Sequence, residues 1–223
     1  MPSIEHAVIA AAGIGSRLGH GIPKCLVEIA GTTLIANQLS LLAGVPDVRV
    51  VVGYREEAVM DHVRSLSVDV IFVRNPHFRE TTTQDSYAMA AKGLRGSCLF
   101  MDADILFDEL SFHQFTAFAA THSLAIGITA AKTDNAVFAE TRQAKNGDLE
   151  LTSFSSKRAT FEWANIVYAP AEAFFEGRGA VFETLEHLLP APAKEIISYE
   201  VDTEGDLVRA QEFAKDLRRP INV

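Results

Sequence analysis

The sequence predicts an α/β fold with a mixed, mainly parallel sheet, helices on both faces and a small antiparallel insertion. Three observations support this class. Short apolar runs alternate with helix-like segments through the first 130 residues, as in successive right-handed βαβ units. The following stretch has closely spaced strand patterns around an Asn-Gly turn. Apolar residues make up 48% of the 223 residues, which is enough for a large core.

The first part of the chain contains the alternating elements. Its strand candidates are short and mostly apolar, which is typical of parallel strands covered on both faces. Thr33 is suited to cap the first helix, because a threonine hydroxyl accepts from the first free N–H groups. The predicted strands are Ala7–Ala12, Val48–Val52, Val68–Val73, Cys98–Met101 and Leu124–Ala131, and the predicted helices are Thr33–Ala43, Glu56–Arg64, Gln84–Leu94 and Ser111–His122. This order predicts a Rossmann-like sheet.

The second part favours antiparallel strands. Asn146-Gly147 tolerates positive φ at both turn centres, so a hairpin is expected around it. A final helix is expected to begin at Thr203, followed by an apolar stripe at helical spacing. The predicted strands are Val137–Arg142, Leu149–Phe154 and Trp163–Tyr168. Because no linker-like run separates the two parts, we predict one domain over residues 1–223, with residues 132–165 as the antiparallel insertion.

Charge and termini exclude several classes of protein. The chain has 20 basic and 29 acidic residues, a net charge of −9, which does not favour a nucleic-acid surface. The apolar stretch near the N-terminus is too short for a signal peptide or a membrane span. We therefore expect a cytoplasmic protein without a nucleic-acid partner and without a membrane span.

A glycine-rich loop follows the first strand. It reads Ala11-Ala12-Gly13-Ile14-Gly15-Ser16-Arg17-Leu18-Gly19 and is followed by Pro23-Lys24. Glycines let backbone N–H groups approach phosphate oxygens, and an arginine and a lysine add charge. The spacing fits neither the dinucleotide fingerprint nor the P-loop. The loop therefore predicts a phosphate site of another kind, at the carboxyl end of a strand.

This loop resembles the signature of the nucleotidyltransferases that make nucleotide sugars and CDP-alcohols. The resemblance extends to Gly53-Tyr54, to Asp102-Ala103-Asp104 and to the segment Tyr199–Thr203. The nearest subgroup is the bacterial phosphocholine cytidylyltransferases, with relatives acting on inositol phosphate or aminoethylphosphonate. It implies transfer of CMP from CTP to a small phosphorylated alcohol or phosphonate, with release of pyrophosphate.

Such a transfer joins two anions, so the site needs Mg²⁺ and cationic side chains. The resemblance assigns Asp104 and Asp202 to the Mg²⁺ ion, and Arg17 and Lys24 to catalysis by contact with the phosphates. No general base is required, because the attacking oxygen is already ionised near neutral pH. The expected nucleotide-binding residues are Ala11, Ala12, Gly13, Gly15, Ser16, Gly53, Ser86 and Asp102.

The acceptor side is expected within residues 132–165. The resemblance points to Lys157 for the acceptor phosphate, with Arg158 as an equal rival. Trp163 and Tyr87 suit a cationic head group, although Trp163 is equally suited to the core, whereas Asn165 suits a polyol. Two alternatives remain: a sugar-1-phosphate nucleotidyltransferase that uses another NTP, and a non-catalytic nucleotide-binding protein. A homodimer is a possible assembly.

Overall fold

The computed structural model describes residues 4–15, 21–133, 136–177 and 179–217. The strands are β1 (His6–Ala11), β2 (Glu28–Ile29), β3 (Thr32–Thr33), β4 (Asp47–Val52), β5 (Ile71–Arg74), β6 (Ser97–Asp102), β7 (Ile105–Phe107), β8 (Ala125–Ala130), β9 (Phe138–Gln143), β10 (Leu149–Ser155), β11 (Phe161–Pro170), β12 (Ala191–Glu195) and β13 (Ser198–Glu200). The helices are α1 (Leu34–Leu41), α2 (Glu56–Ser65), α3 (Thr83–Ala91), α4 (Glu109–Ala119), α5 (Val181–Glu186) and α6 (Glu204–Leu217). Short 3-10 helices cover Lys24–Leu26 and Ala171–Phe174.

Nine strands form one twisted sheet in the order β5-β4-β1-β6-β11-β8-β12-β10-β9. Strands β5, β4, β1 and β6 are parallel neighbours, as the alternating strand and helix pattern predicts. Strand β11 is antiparallel to both β6 and β8, and so joins the parallel half to the rest of the sheet. The predicted α/β class with a mixed sheet is confirmed.

The hairpin around Asn146-Gly147 is present as β9 and β10, which pair antiparallel. It does not project from the sheet, because β10 also pairs with β12 and β9 pairs with the start of β11. Strand β12 was not predicted from the sequence, and it lies parallel to β8 between the hairpin and the centre of the sheet. The antiparallel segment is therefore an extension of the main sheet.

Apolar side chains cover both faces of this sheet. On β1, Val8 packs on one face with Phe100 and Tyr87, while Ile9 packs on the other face with Ile35. The strand is buried on both sides, which explains why its sequence does not alternate between apolar and polar residues.

A third, smaller cluster attaches the final helix. Ala210 of α6 packs with Leu34, Leu106 and Val201. Thr203 and Asp206 form the N-terminal turn of α6, where the backbone N–H of Thr203 donates to the Asp206 carboxylate at 2.8 Å. This packing brings the segment before α6 close to the end of β6.

Among the residues that the structure describes, no helix combines the length and apolar composition that a membrane crossing requires.

Candidate active site

A cavity of about 310 Å³ opens at the carboxyl ends of β1 and β6. These two strands are parallel neighbours, so the loops that follow them leave the same edge of the sheet. The cavity is lined by the glycine loop, the β6 end and the start of α3, through Ala10, Ala11, Ala12, Gly13, Gly15, Lys24, Cys25, Asn75, Phe78, Thr81, Thr82, Thr83, Ser86, Asp102, Ala103 and Asp104. Ala11, Ala12, Gly13, Gly15, Ser86 and Asp102 were all predicted to contact the nucleotide.

Lys24 lies at one end of this cavity, in the 3-10 turn that follows Pro23. Its ammonium donates to Asp104 Oδ2 at 2.9 Å and to Asp202 Oδ1 in a shorter contact. Burial works against the charge, but the two carboxylates outweigh it and raise the pKa of Lys24 above its usual value. The lysine is therefore charged at any physiological pH and joins two carboxylates that lie far apart in the sequence.

Gly15 makes room for this lysine. Its φ is +66°, a backbone region that favours glycine, and a Cβ built there would lie 2.6 Å from Lys24 Cγ. The glycine thus serves two purposes, since it allows the loop conformation and lets the lysine stem pass beside the backbone.

Asp104 and Asp202 meet because β13 pairs antiparallel with β7. Asp104 lies in the turn between β6 and β7, and the N–H of Val201 donates to the Asp104 carbonyl at 2.9 Å. Gln38 fixes that turn from the other side, since its side-chain amide donates to the carbonyls of Asp102 and Ile105, each at 2.8 Å. The two aspartates are 98 positions apart in the sequence, and these contacts hold them at one site.

A third carboxylate, Glu200, belongs to the same cluster. Asp104, Glu200 and Asp202 each offer an oxygen, and these oxygens lie within 4.8 Å of one another. Desolvation and the charge of Asp104 raise the pKa of Glu200 to about 7. This set of hard oxygen donors matches the ligands that Mg²⁺ prefers.

Asp102 lies at the end of β6, half-buried behind this cluster. Burial and the charge of Asp104 raise the pKa of its carboxyl to about 8. The hydroxyl of Tyr87 donates to Asp102 Oδ1. The Tyr87 ring is fully buried against Phe100 and Phe174. Tyr87 is therefore a core residue that supports Asp102, and the structure places it away from the acceptor contact expected from the sequence.

The opposite end of the cavity is polar but uncharged. The buried side-chain amide of Asn75 donates to Thr81 Oγ1 at 2.9 Å and to Ser86 Oγ at 3.2 Å. Gly53 lies beside this end, where a Cβ would come within 2.8 Å of Phe78 Cβ and 3.0 Å of the Ala12 carbonyl. Gly53 thus allows Phe78 to close against the glycine loop, and neutral hydrogen-bonding groups fill the end of the cavity away from Lys24.

A second, narrow cleft adjoins the carboxylate cluster. Glu200 reaches it, together with Trp163 and Asn165, which were predicted on the acceptor side. Asn165 has a φ of +53° where the register between β11 and β8 shifts, and its side-chain amide donates to Glu200 Oε2 at 3.5 Å. Trp163 is mostly buried against Phe154, so its ring belongs to the core.

Lys157 is exposed, and it lines neither the cavity nor the cleft among the described residues. A different lysine, Lys132 at the end of β8, lines the cleft instead. Ser16 and Arg17, predicted for the nucleotide phosphates, lie outside the described residues.

Several residues of the site were not predicted from the sequence. Glu200 could have been found, because it precedes Asp202 by two positions and alternate residues of an extended segment share a face. Asn75 and Lys132 carry no such signal, since each lies alone at a strand end. Their roles depend on which strands become neighbours in the sheet.

Sequence comparisons find relatives that match only part of this chain. The chain is 42% identical over 87 residues to the bifunctional enzyme IspD/IspF of Clavibacter michiganensis subsp. michiganensis, and 35% identical over 97 residues to that of Paracoccus denitrificans. These matches cover 39% and 44% of this chain and 17% and 24% of the two relatives. The chain thus spans about a quarter or less of these longer proteins.

Solved structures match over nearly the full length. The inositol-1-phosphate CTP transferase from T. maritima has a TM-score of 0.75 at 14% identity, covering 99% of both chains. The CTP:phosphocholine cytidylyltransferase from Streptococcus pneumoniae has 0.72 at 19% identity, covering 94% of this chain and 98% of its own. A UDP-glucose pyrophosphorylase complexed with UDP-glucose has 0.78 at 14% identity, covering 96% of this chain and 100% of its own. At these identities the likeness establishes a shared fold.

The family model described as the MobA-like NTP transferase domain matches residues 7–145, which is more than half of the chain. The matched part includes the glycine loop, Lys24 and both aspartates at the end of β6, the residues that line the cavity. The chain therefore belongs to the MobA-like NTP transferase family.

Proposed function

We propose that this protein transfers CMP from CTP to a small phosphorylated alcohol or phosphonate and releases pyrophosphate. The observation that carries the proposal is the Lys24 ammonium held between Asp104 and Asp202 at the end of the cavity. A cation beside several carboxylates is what a reaction between two anions requires, because their mutual repulsion is the main barrier. The chain would act as one nucleotidyltransferase domain, with residues 132–165 on the acceptor side.

The cavity suggests how the nucleotide lies. Its charged end, with Gly13, Gly15 and Lys24, suits the phosphates, since backbone N–H groups and an ammonium bind anionic oxygens. Its neutral end, with Asn75 and Ser86, suits the base, whose ring offers hydrogen-bond donors and acceptors. We propose that Arg17 adds a second cation at the phosphates.

Asp104, Glu200 and Asp202 would hold the divalent ion, with Mg²⁺ as the expected metal. Their convergence within 4.8 Å and the raised pKa of Glu200 both indicate a concentration of negative charge that a metal would compensate. When bound, Mg²⁺ supplies positive charge to the crowded phosphate oxygens. Lys24 holds Asp104 and Asp202 in place through its hydrogen bonds and supplies its own charge to the phosphates.

The preference for CTP is supported by relatives with the same fold. Two of the structures that match nearly the whole chain are named for CTP, with inositol-1-phosphate and phosphocholine as acceptors. The acceptor itself is proposed only as a class, a compact molecule with an ionised phosphate or phosphonate. Its anionic oxygen attacks the α-phosphorus of CTP, a new P–O–P bond forms, and the bond to pyrophosphate breaks. Because the attacking oxygen is already ionised, no side chain has to remove a proton.

The test is pyrophosphate release with each of four NTPs against a panel of acceptors. The panel contains phosphocholine, phosphoethanolamine, aminoethylphosphonate, inositol phosphate and hexose-1-phosphates, each assayed with Mg²⁺ and with EDTA. CTP-dependent release with a non-sugar acceptor is the expected result. Release only with hexose phosphates would replace it with a sugar nucleotidyltransferase, and NTP binding without any release would indicate a non-catalytic nucleotide-binding protein.

A further inference from the structure

Lys132 extends from the end of β8 into the narrow cleft. Its ammonium donates to Thr129 Oγ1 at 2.7 Å and to the Ser198 carbonyl at 2.8 Å, and it lies 4.9 Å from the centre of the Tyr199 ring. These contacts hold the side chain in one place, but both hydrogen-bond acceptors are neutral. An ammonium has three N–H donors, so one remains to bind a ligand.

Among the described residues, the acidic side chains near Lys132 do not form an ion pair with its ammonium. Glu162 is close in space, but its carboxylate accepts from the backbone N–H groups of Lys132 and Thr133 and from the Thr133 hydroxyl, at 3.1 to 3.3 Å. Within residues 4–15, 21–133, 136–177 and 179–217, no carboxylate oxygen forms an ion pair with the Lys132 ammonium. Burial lowers the pKa of Lys132, even though Glu162 and Glu195 act in the opposite direction.

A half-buried cation whose hydrogen-bond acceptors among the described residues are neutral is costly, and proteins normally avoid one. Lys132 nevertheless lies in a cleft that Glu200 also lines, and Glu200 belongs to the carboxylate cluster beside Lys24. The cavity reaches this cluster at Asp104, and the cleft reaches it at Glu200. An anion that entered the cleft would therefore lie close to the carboxylate cluster.

We propose that Lys132 binds the anionic group of the acceptor, in the place that sequence reasoning assigned to Lys157. This inference rests on the proposed function, and it assigns the acceptor end of that site. The cleft has a free volume of about 20 Å³, room for one water-sized group. One phosphate or phosphonate oxygen can enter beside Lys132 while the rest of the acceptor stays at the mouth. The ligand class is thus a small monophosphate or phosphonate.

The test compares two lysines of this half of the molecule. Lys132→Gln keeps an N–H donor for Thr129 and Ser198 and removes the charge, and Lys157→Gln is the matched control. The probe is methyl phosphate, which carries the group common to the proposed acceptors. Its binding is measured by ³¹P NMR titration on protein saturated with Mg²⁺ and the non-hydrolysable α,β-methylene analogue of CTP. Binding of this analogue is measured separately by calorimetry.

We expect methyl phosphate to bind Lys132→Gln at least tenfold more weakly than wild type, whereas Lys157→Gln and the conservative Lys132→Arg stay within threefold. The analogue should bind all four proteins equally, since Lys132 does not line the nucleotide cavity. Equal methyl phosphate binding by Lys132→Gln and wild type, equal weakening by Lys157→Gln, or no saturable binding to wild type would each overturn the inference.

A wild type that does not bind the analogue would contradict the proposed function and not this inference. The methyl phosphate titration is then repeated on Lys24→Met, in which the nucleotide-side cation is absent. Loss of binding on adding Lys132→Gln to Lys24→Met supports the inference, and unchanged binding overturns it.

Discussion

Two half-buried lysines lie near one carboxylate cluster, Lys24 in the cavity and Lys132 in the cleft, and their surroundings differ. Lys24 donates to Asp104 and Asp202, and its pKa is raised. Lys132 donates to a hydroxyl and a carbonyl oxygen, and its pKa is lowered by burial. Burial disfavours the charge of both lysines, so the partners decide the difference. The lysine of the cavity has charged partners in the folded chain, whereas the hydrogen-bond acceptors of the cleft lysine among the described residues are neutral.

This contrast has a consequence for binding. Under the proposed function, a nucleotide and its metal would share or replace the ion pairs of Lys24, and they would bring charges of both signs. An acceptor at Lys132 would displace no ion pair formed by the described residues and would add a negative charge. We therefore expect Lys132 to attract an anionic acceptor even when no nucleotide is bound.

The largest effect is expected from Lys24→Met. The change removes the cation between Asp104 and Asp202 and leaves the carboxylates facing the phosphates without compensation. We expect kcat/KM for CTP-dependent pyrophosphate release to fall about 1,000-fold, in the range found when one preorganised electrostatic contact is removed. Steady-state kinetics check this. Lys145→Met, at an exposed lysine of the β9–β10 turn, is the control and should keep full activity. A Lys24→Met loss of threefold or less would contradict the role of Lys24.

Asp104→Asn and Asp202→Asn test the two carboxylates that form ion pairs with Lys24. Each removes one charged oxygen from the proposed metal ligands and one partner from Lys24. We expect activity to fall about 100- to 1,000-fold and the Mg²⁺ concentration for half-maximal activity to rise, as measured in metal titrations. Asp69→Asn, at an exposed aspartate, is the control. Full activity in either variant would remove that residue from the metal site.

Gly53→Ala should disturb only the cavity that we propose for the nucleotide. The added Cβ would lie 2.8 Å from Phe78 Cβ and 3.0 Å from the Ala12 carbonyl, so the closed end of the cavity must shift. We expect KM for CTP to rise about tenfold and the free energy of unfolding to fall by about 1–3 kcal/mol, as in other overpacked sites.

The matched glycine is Gly205 in the first turn of α6, where an added Cβ would meet no atom closer than 3.7 Å. Gly205→Ala should leave KM for CTP unchanged and should not destabilise the fold, because alanine favours a helix more than glycine does. If both alanine variants keep the wild-type KM, the wall formed by Gly53 and Phe78 does not shape the nucleotide site.

The smallest expected effect is on the stability of the fold, which the buried charge of Lys132 reduces. Because its pKa in the folded state lies below the unfolded value near 10.5, the folded state binds fewer protons than the unfolded state between those two values. The cost of the charge is therefore fully present below the folded-state pKa and decreases as the pH rises from there toward 10.5.

Lys132→Gln should accordingly melt at a higher temperature than wild type at pH 7, where the lysine is charged in the unfolded chain. The difference should decrease steadily up to pH 10, and methyl phosphate should reduce it at pH 7 by stabilising only the wild type. Thermal unfolding followed by circular dichroism measures both effects. A variant that melts below wild type at pH 7 would show that Lys132 is stabilised in the free protein.

Local patterns explain which parts could be predicted from the sequence. The strands β1, β4 and β6 were predicted because they are short, mostly apolar runs, and the hairpin because Asn146-Gly147 suits only a few turns. The short strands β7, β12 and β13 were missed, since three to five residues carry little periodicity and their pairing partners are distant.

The residues of the candidate site also differ in whether the sequence could predict their roles. Gly15, Lys24 and Asp104 stand within compact motifs, so their chemistry was visible in the sequence. Tyr87 was misplaced because an aromatic residue at the start of a helix can face the core or a ligand, and only packing against Phe100 and Phe174 decides this.

By itself, the sequence determined the α/β class, the glycine loop and the residue types that two anionic reactants require, because these depend on neighbours within a few positions along the chain. Only the tertiary structure decided which lysine reaches the narrow cleft and that Glu200 joins Asp104 and Asp202. The reason is that β11 joins the two halves of the sheet and β13 pairs with β7, so contacts between residues about 100 positions apart set the site. The charge balance at the site depends on distances in space, and the order of residues along the chain does not give those distances.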